Sequence, residues 1–417
     1  MAHSQKQLPD LVHRDWLNSP DLETIFSLLG GGDEVRVVGG AVRDSLLGVE
    51  LGDIDLATIH GSDEIMARAK AVGIKAVPTG GEHGTVSLIM DNAQETHVYE
   101  VTPLRIDVAT DGRHARVAPT QNWSMDAHRR DFTLNALYCN EGGKIYDFVG
   151  GYEDVLIQHV RFIGVATTRI EEDYLRILRF FRFSARYAQG SLDEQGLAAC
   201  IAQKEGLLQL SAERIKQELF KLLVAPFAGV VLSRMVESGI MNKVLSQPIC
   251  LRSFIHLVEI ERALNVSSSA LLRLASLAGG DVATLKLWAK HLKLSNKESA
   301  HLVDFSRHVS SFTPDLSEAT QKALLYELGH EIFKNCALLA WSLAQEETNV
   351  SGWERLIDLP QKWQPPVFPL SGADVLALGI AAGPRIGEIL SRLEQGWIEA
   401  GFKWDAAELA ARLKKAI

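Results

Sequence analysis

The stretch from Arg36 to Ala57, RVVGGAVRDSLLGVELGDIDLA, leaves the chain few ways to fold. A β-branched segment stops at Gly39-Gly40, a short helical segment follows, and an alternating segment then carries Asp53 and Asp55. Side chains two apart on a strand project to one face, so the two aspartates are expected together while Ile54 and Leu56 enter the core. Like charges at that spacing repel. A cation between them removes the conflict, and paired carboxylates suit hard divalent ions such as Mg2+. Gly39-Gly40 lets backbone approach an anion with no Cβ in the way. A helix beginning around residues 42–47 would turn its free amides toward phosphates, with Arg43 touching the phosphates or bracing the turn. Taken singly, the glycine pair is a turn and the Asp-x-Asp a solvated turn; the signal lies in their order.

The 417 residues suggest two to four domains. With 47% hydrophobic and 23% charged residues the composition is that of an ordinary globular protein. No apolar run approaches the roughly 20 residues that span a bilayer. The N-terminus MAHSQKQLPDLVHRDW has no apolar core, so neither a secretory signal nor a transit peptide is expected. Cys139, Cys200, Cys250 and Cys336 form no CxxC pair and no zinc spacing, which predicts reduced, buried thiols of a cytoplasmic protein. A formal charge of −9 confines any nucleic-acid contact to a local patch.

Strand patterns occupy the first third: EVRVVGG, GTVSLIM (84–90), THVYEVTPL (96–104) and KIYDFVGG (144–151). GSDEIMARAKAVG (61–73) reads as a helix with Ser62 as N-cap, Ile65, Met66, Ala69 and Val72 at helical spacing, and Gly73 as its stop. Beyond about residue 165 only helical periodicity remains, in EEDYLRILRFFRFSARYA, SAERIKQELFKLLVA, SSSALLRLASLAG, TQKALLYELGHEIFKNCALLAWSLAQ and PRIGEILSRLEQGWIEAG. Candidate breaks fall at Gly150-Gly151, at Gln247-Pro248 and in LPQKWQPPVFPL (359–370). The pattern predicts a mixed head followed by a long helical remainder.

Three further segments carry chemistry. Glu100 is the candidate third carboxylate, on a strand where Val98 and Val101 face inward; the alternative is a solvent-facing residue on an edge strand. RRDFTLNAL (129–137) sets two arginines and an aspartate before a helix-like apolar segment. The arginines could grip phosphates and Asn135 a sugar, or Asp131 could cap a helix beside two surface arginines. In EEDYLRILRFFRF (171–183), Glu172, Arg176 and Arg179 would stack on one helix, with Asp173 and Arg176 as neighbours. The plainer reading is an intrahelical salt-bridge stripe.

GGAVRD, GDIDLA, EVTPLRID with GRHARV, RRDFTLNAL, DFVGG and EEDYLRILRFFRF stand in the order found in class II tRNA nucleotidyltransferases, and the chain resembles that family clearly over residues 35–225. These are the CCA-adding enzymes, in one superfamily with bacterial poly(A) polymerases. The resemblance implies an α+β protein: a mixed-sheet, polymerase β-like nucleotidyltransferase head (1–155), an all-helical neck with a base-reading helix (156–248), and a helical body and tail that bind tRNA (249–417). It implies that Asp53, Asp55 and Glu100 are catalytic and hold Mg2+, as two ions. Gly39, Gly40, Arg43 and Asp44 would form the nucleotide-binding turn. Arg129, Arg130, Asp131 and Asn135 would bind triphosphate and ribose, and Asp147, Phe148, Gly150 and Gly151 would join head to neck. Glu172, Asp173, Arg176 and Arg179 would read the incoming base. The segment from Arg105 to Thr120 resembles the loop tied to addition of the final adenosine.

The base-reading role has its own chemical logic. Cytosine and adenine offer an amino donor where uracil and guanine offer a carbonyl. An anionic Asp173 accepts from the first pair and repels the second, while Arg176 donates to a ring nitrogen. Arg214, Lys216 and Lys221 in SAERIKQELFKLL lie on an amphipathic neck helix, and Gly383-Pro384 opens a helix whose amides either contact RNA phosphate or simply start the helix. The leading expectation is template-independent addition of C, C and A to tRNA 3′ ends from CTP and ATP, with pyrophosphate released. The alternatives are poly(A) addition, an A-adding or CC-adding specialist, or an RNA-binding protein with an inactive head. No protein partner and no membrane contact are implied.

Overall fold

The head is built on a seven-stranded sheet among the described residues, formed from Val35–Val38 (β1), Asp55–Thr58 (β2), Lys75–Pro78 (β3), Val86–Asp91 (β4), Thr96–Pro103 (β5), Leu137–Cys139 (β8) and Ile145–Asp147 (β9). Its order is β3-β4-β5-β2-β1-β8-β9, with β2 and β5 parallel and the other neighbours antiparallel. Arg105–Thr110 (β6) and Ala115–Pro119 (β7) make a separate antiparallel ribbon with a register shift between Asp107 and Ala109. The computed structural model describes residues 8–79, 84–91, 95–110, 115–344 and 349–416, and of residues 107–110 and 115–117 the backbone alone. The middle of the segment from Arg105 to Thr120 therefore lies outside the described residues.

Helices of the first unit are Pro20–Leu28 (α1), Gly40–Leu47 (α2), Ser62–Ala71 (α3), Trp123–Arg129 (α4), Gly151–Leu156 (α5), Ala166–Glu172 (α6), Leu175–Tyr187 (α7), Glu194–Ala202 (α8), Ala212–Leu223 (α9), Ala228–Glu237 (α10) and Met241–Val244 (α11). The chain divides into two compact units, residues 1–246 and 247–417. The second holds Leu251–Ala263 (α12), Ala270–Leu277 (α13), Val282–His291 (α14), Asn296–His308 (α15), Glu318–Leu343 (α16), Val350–Lys362 (α17), Gly372–Leu376 (α18), Pro384–Glu399 (α19) and Ala406–Ala416 (α20). No described helix is long and apolar enough to cross a membrane. All four cysteines are free; Cys139, Cys200 and Cys336 are buried and Cys250 is half-buried.

Several local expectations are corrected. Helix α3 is capped by Gly61 rather than Ser62; Ile65 and Ala69 are buried, whereas Val72 is exposed. On β5 the inward residues are Tyr99 and Val101, and Val98 faces solvent, because residues three apart on a strand cannot share a face. EEDYLRILRFFRF is two helices, not one: Asp173 is extended (φ −159°, ψ 106°), and its amide closes α6 on the Ile170 carbonyl. RRDFTLNAL closes α4 and continues as a 3-10 turn, Thr133–Asn135, into the buried strand β8. The long run from Thr320 turns at Gly329, whose φ of 74° no helix holds. Pro360, read as part of a break, lies inside α17. As read, Pro384 opens α19 at its first turn.

Candidate active site

Helix α2 starts where β1 ends because Gly39 takes φ 70° and ψ −110°. A Cβ there would stand 3.3 Å from the Asn135 carbonyl oxygen, so both the dihedral and the space favour glycine. The Gly39 amide donates to the Leu137 carbonyl at 2.9 Å, which ties the turn to β8. Arg43 braces the turn rather than reaching outward. It is buried, its Nε donates to Asp44 Oδ1 at 2.8 Å, its Nη1 donates to Asn135 Oδ1, and its Nη2 donates to the Tyr187 hydroxyl at 2.6 Å. The same guanidinium lies 4.0 Å from the Tyr187 ring centroid.

Two of the carboxylates meet at the next crossing of the sheet. Asp55 opens β2, and the parallel register sets it opposite Glu100 on β5. Asp53 precedes the strand, so it is held by the loop rather than by the pleat that the alternation predicted. All three residues are exposed to solvent. The Asp55 carboxyl is nonetheless pushed up to about 6 by desolvation among surrounding protein atoms, then by the charge of Glu100, with Asp53 adding to it and Arg130 opposing. Among the described residues no three His, Cys, Asp or Glu side chains converge into a finished metal cage. What is present is a hard oxygen donor, Asp55, crowded by the like charges of Glu100 and Asp53, with no sulfur or imidazole among the three. That donor chemistry fits a divalent cation.

Arg129 and Arg130 do not lie loose on the surface. Both are held by Asp126, a residue the motif reading passed over. Asp126 Oδ1 accepts from Arg129 Nε at 2.8 Å, and Oδ2 accepts from Arg130 Nη2 at 2.9 Å and from the Tyr138 hydroxyl at 2.8 Å. Its side chain is 1% exposed. Burial would raise its carboxyl, but Arg130, Arg129 and the Tyr138 hydroxyl outweigh that and hold it at about 2. The spacing itself could have found it, since Asp126 precedes Arg129, the last residue of α4, by three residues and Arg130, its C-cap, by four.

Asp131 and Asn135 link head to helix. Asp131 Oδ1 accepts from the Phe132 amide at 2.8 Å and from Asn135 Nδ2 at 3.2 Å, and Oδ2 accepts from Arg179 Nε at 2.7 Å. Burial opposes ionisation of Asp131, yet Arg179 and then Arg176 bring its carboxyl down to about 2. Arg179 also lies 3.7 Å from Glu218, which accepts from Arg182 Nε at 2.5 Å. Glu218 and Tyr187 carry no local sequence signal, because their partners are far along the chain.

Of the residues expected to read the base, Glu172 pairs with Arg176, whose Nη1 also donates to the Arg169 carbonyl at 2.7 Å and whose Nη2 donates to the Arg129 carbonyl at 3.3 Å. Asp173 accepts from the Leu175 amide at 3.1 Å and from Arg214 Nη2 at 2.6 Å. At the end of β9, Asp147 Oδ1 accepts from the amides of Val149, Gly150 and Gly151 at 2.9–3.0 Å, and Oδ2 accepts from that of Tyr152 at 2.9 Å. Phe148 packs edge-on to Tyr138, with ring centroids 5.8 Å apart. A Cβ on Gly151 would meet the Thr133 carbonyl oxygen at 2.1 Å, so α5 approaches the RRD segment at backbone distance. The structure thus joins Gly39, Arg43, Asp44, Asn135, Asp131 and Arg179 in one network and Arg129 and Arg130 in a second, and it sets Asp55 opposite Glu100 and within the field of Arg130.

Residues 35–161 match the family described as "Poly A polymerase head domain", and residues 191–249 match "Probable RNA and SrmB- binding site of polymerase A". The mitochondrial CCA tRNA nucleotidyltransferase 1 of Mus musculus is 32% identical over 413 residues, covering 96% of this chain and 93% of its own length. The CCA-adding enzyme of Levilactobacillus brevis is 29% identical over 400 residues, covering 93% and 94%. The crystal structure of the Bacillus stearothermophilus CCA-adding enzyme in complex with CTP superposes with a TM-score of 0.74 at 25% identity, covering 95% of this chain and 98% of that one. With those full-length similarities and the site geometry, the chain belongs to the CCA-adding tRNA nucleotidyltransferases of the poly(A) polymerase family.

Proposed function

We propose that this protein adds C, C and A to the 3′ end of tRNA from CTP and ATP, releasing pyrophosphate, with Mg2+, as two ions, held by Asp53, Asp55 and Glu100. The observation that carries this reading is the in-register placement of Asp55 against Glu100, with the Asp55 carboxyl raised by desolvation and then by the charge of Glu100. Bound there, a divalent metal supplies charge neutralisation at the triphosphate and lowers the pKa of the RNA 3′-hydroxyl. Arg129 and Arg130, pre-oriented by Asp126, present their remaining N–H groups to the triphosphate, while the Gly39-Gly40 turn lets the nucleotide come close. The amide of Asn135 already serves Arg43 and Asp131, which leaves one N–H for the ribose. Asp173 accepts the exocyclic amino group of cytosine or adenine; Arg176 donates to the ring once it leaves a backbone carbonyl. Such a polar mismatch discriminates by several powers of ten.

The same reading assigns residues 1–155 to the head, 156–248 to the neck and 249–417 to a tRNA-binding body and tail, in a cytoplasmic protein. The test is incubation of tRNA lacking its terminal CCA with each nucleotide alone and with CTP plus ATP. Three added residues, C, C and A, support the proposal; a long adenosine ladder contradicts it. Loss of incorporation in Asp55→Ala with RNA binding retained supports the metal role, and parental turnover refutes it.

A further inference from the structure

We propose that Arg214 is a specificity-determining positioning residue that holds Asp173 in its base-reading orientation; this rests on the role given to Asp173 above. Asp173 sits in the break between α6 and α7, with an extended backbone that belongs to neither helix. Its backbone is fixed on both sides, by its own amide to the Ile170 carbonyl at 3.1 Å and by its carbonyl accepting from the Arg176 amide at 3.0 Å. The carboxylate is held by two donors: the Leu175 amide on Oδ1 and Arg214 Nη2 on Oδ2. Arg214 comes from a different helix, and a charge-assisted bond of 2.6 Å is the stronger kind.

The backbone of Arg214 is anchored at the start of α9. Ser211 caps α9 by accepting from the Arg214 amide at 3.4 Å, and Ile215, Leu219 and Leu222 bury the helix. One turn on, Glu218 pairs with Arg182 and Arg179 of α7. A second feature pins the same corner: a Cβ on Gly206 would fall 2.0 Å from the Tyr174 ring, so that ring lies flush on backbone beside Asp173.

Orientation matters because the rejected bases also carry a donor. Next to its carbonyl, uracil presents a ring N–H, and guanine does the same. A carboxylate displaced by one atom position would accept from that N–H instead of meeting the carbonyl, and the mismatch would disappear. An acceptor held by Arg214 cannot make that shift; one left to choose among staggered rotamers can.

The test measures kcat/KM for CTP and UTP on tRNA lacking CCA, with Arg214→Gln, Arg214→Lys and Asp173→Ala beside the parent. Arg214→Gln is expected to raise the UTP-to-CTP ratio about tenfold or more, the equivalent of losing one charged hydrogen bond. Arg214→Lys should restore most of the discrimination. If Asp173→Ala relaxes the ratio and Arg214→Gln leaves it at the parental value, Arg214 does not position the reader. If neither variant changes it, the base-reading assignment of Asp173 is wrong and the inference falls with it. Equal loss for both nucleotides, with a lowered unfolding temperature, would make Arg214 a merely structural contact and also overturn the proposal.

Discussion

Replacing Asp126 with asparagine keeps the side-chain volume and removes the negative charge shared by Arg129 and Arg130. In the native head that charge is 1% exposed, and the two arginine side chains are 15% and 20% exposed. The variant therefore leaves two largely buried guanidinium groups facing a neutral amide. The magnitude can be reached in two ways. The Asp126 carboxyl lies at about 2 against an ordinary 3.8, and a depression of roughly two units corresponds to about 2.5 kcal/mol at neutral pH. Breaking a buried ion pair on one side costs about 3–5 kcal/mol. Both place the loss at several kcal/mol. The sign with pH follows from the depression: a carboxyl held below its unfolded value stabilises above about 4, and that contribution fades as pH falls toward 2. The assay is urea unfolding of parent and Asp126→Asn at pH 7, following the transition of the first unit. Repeats at lower pH should show the gap between them closing. A variant within about 1 kcal/mol of the parent at pH 7 would refute the claim that Asp126 balances both arginines.

Two other perturbations test neighbouring parts of the account. The Asp55 carboxyl is raised in the folded state, so its contribution to stability is present at low pH and lost as pH rises through about 6. Asp55→Asn should therefore unfold at or above the parental temperature at pH 7.5 while losing incorporation, and a clearly lowered unfolding temperature would contradict the like-charge crowding. Gly206→Ala should displace the Tyr174 ring and weaken nucleotide selection; an unaltered UTP-to-CTP ratio would show that the corner tolerates the shift.

Much of the head is legible from residues alone, because strand alternation and glycine stops are local. Strands β1, β4, β5 and β9 fall where β-branched runs and glycine turns place them, and the glycine pair does begin a helix. What fails is what local pattern cannot carry. Apolar periodicity runs unbroken across Asp173, so the end of α6 there is invisible until the Ile170 carbonyl takes its amide. The residues after Asp131 look helical but are buried on all sides in β8, where tertiary packing overrides the local pattern. Asp126 was within reach through its spacing to the arginines. Tyr187 and Glu218 were not, since Arg43 lies 144 residues from Tyr187 and Arg182 lies 36 from Glu218. The functional motifs themselves were readable as an ordered set, which the full-length similarity to CCA-adding enzymes supports.

The proposal that Asp53, Asp55 and Glu100 hold a divalent cation is tested most directly by titrating Mn2+ into the full chain with a non-hydrolysable CTP analogue and counting bound ions by electron paramagnetic resonance. Parent protein should retain bound Mn2+ that Asp55→Asn and Glu100→Gln each lose. Equal occupancy in all three proteins would contradict a site made by these carboxylates.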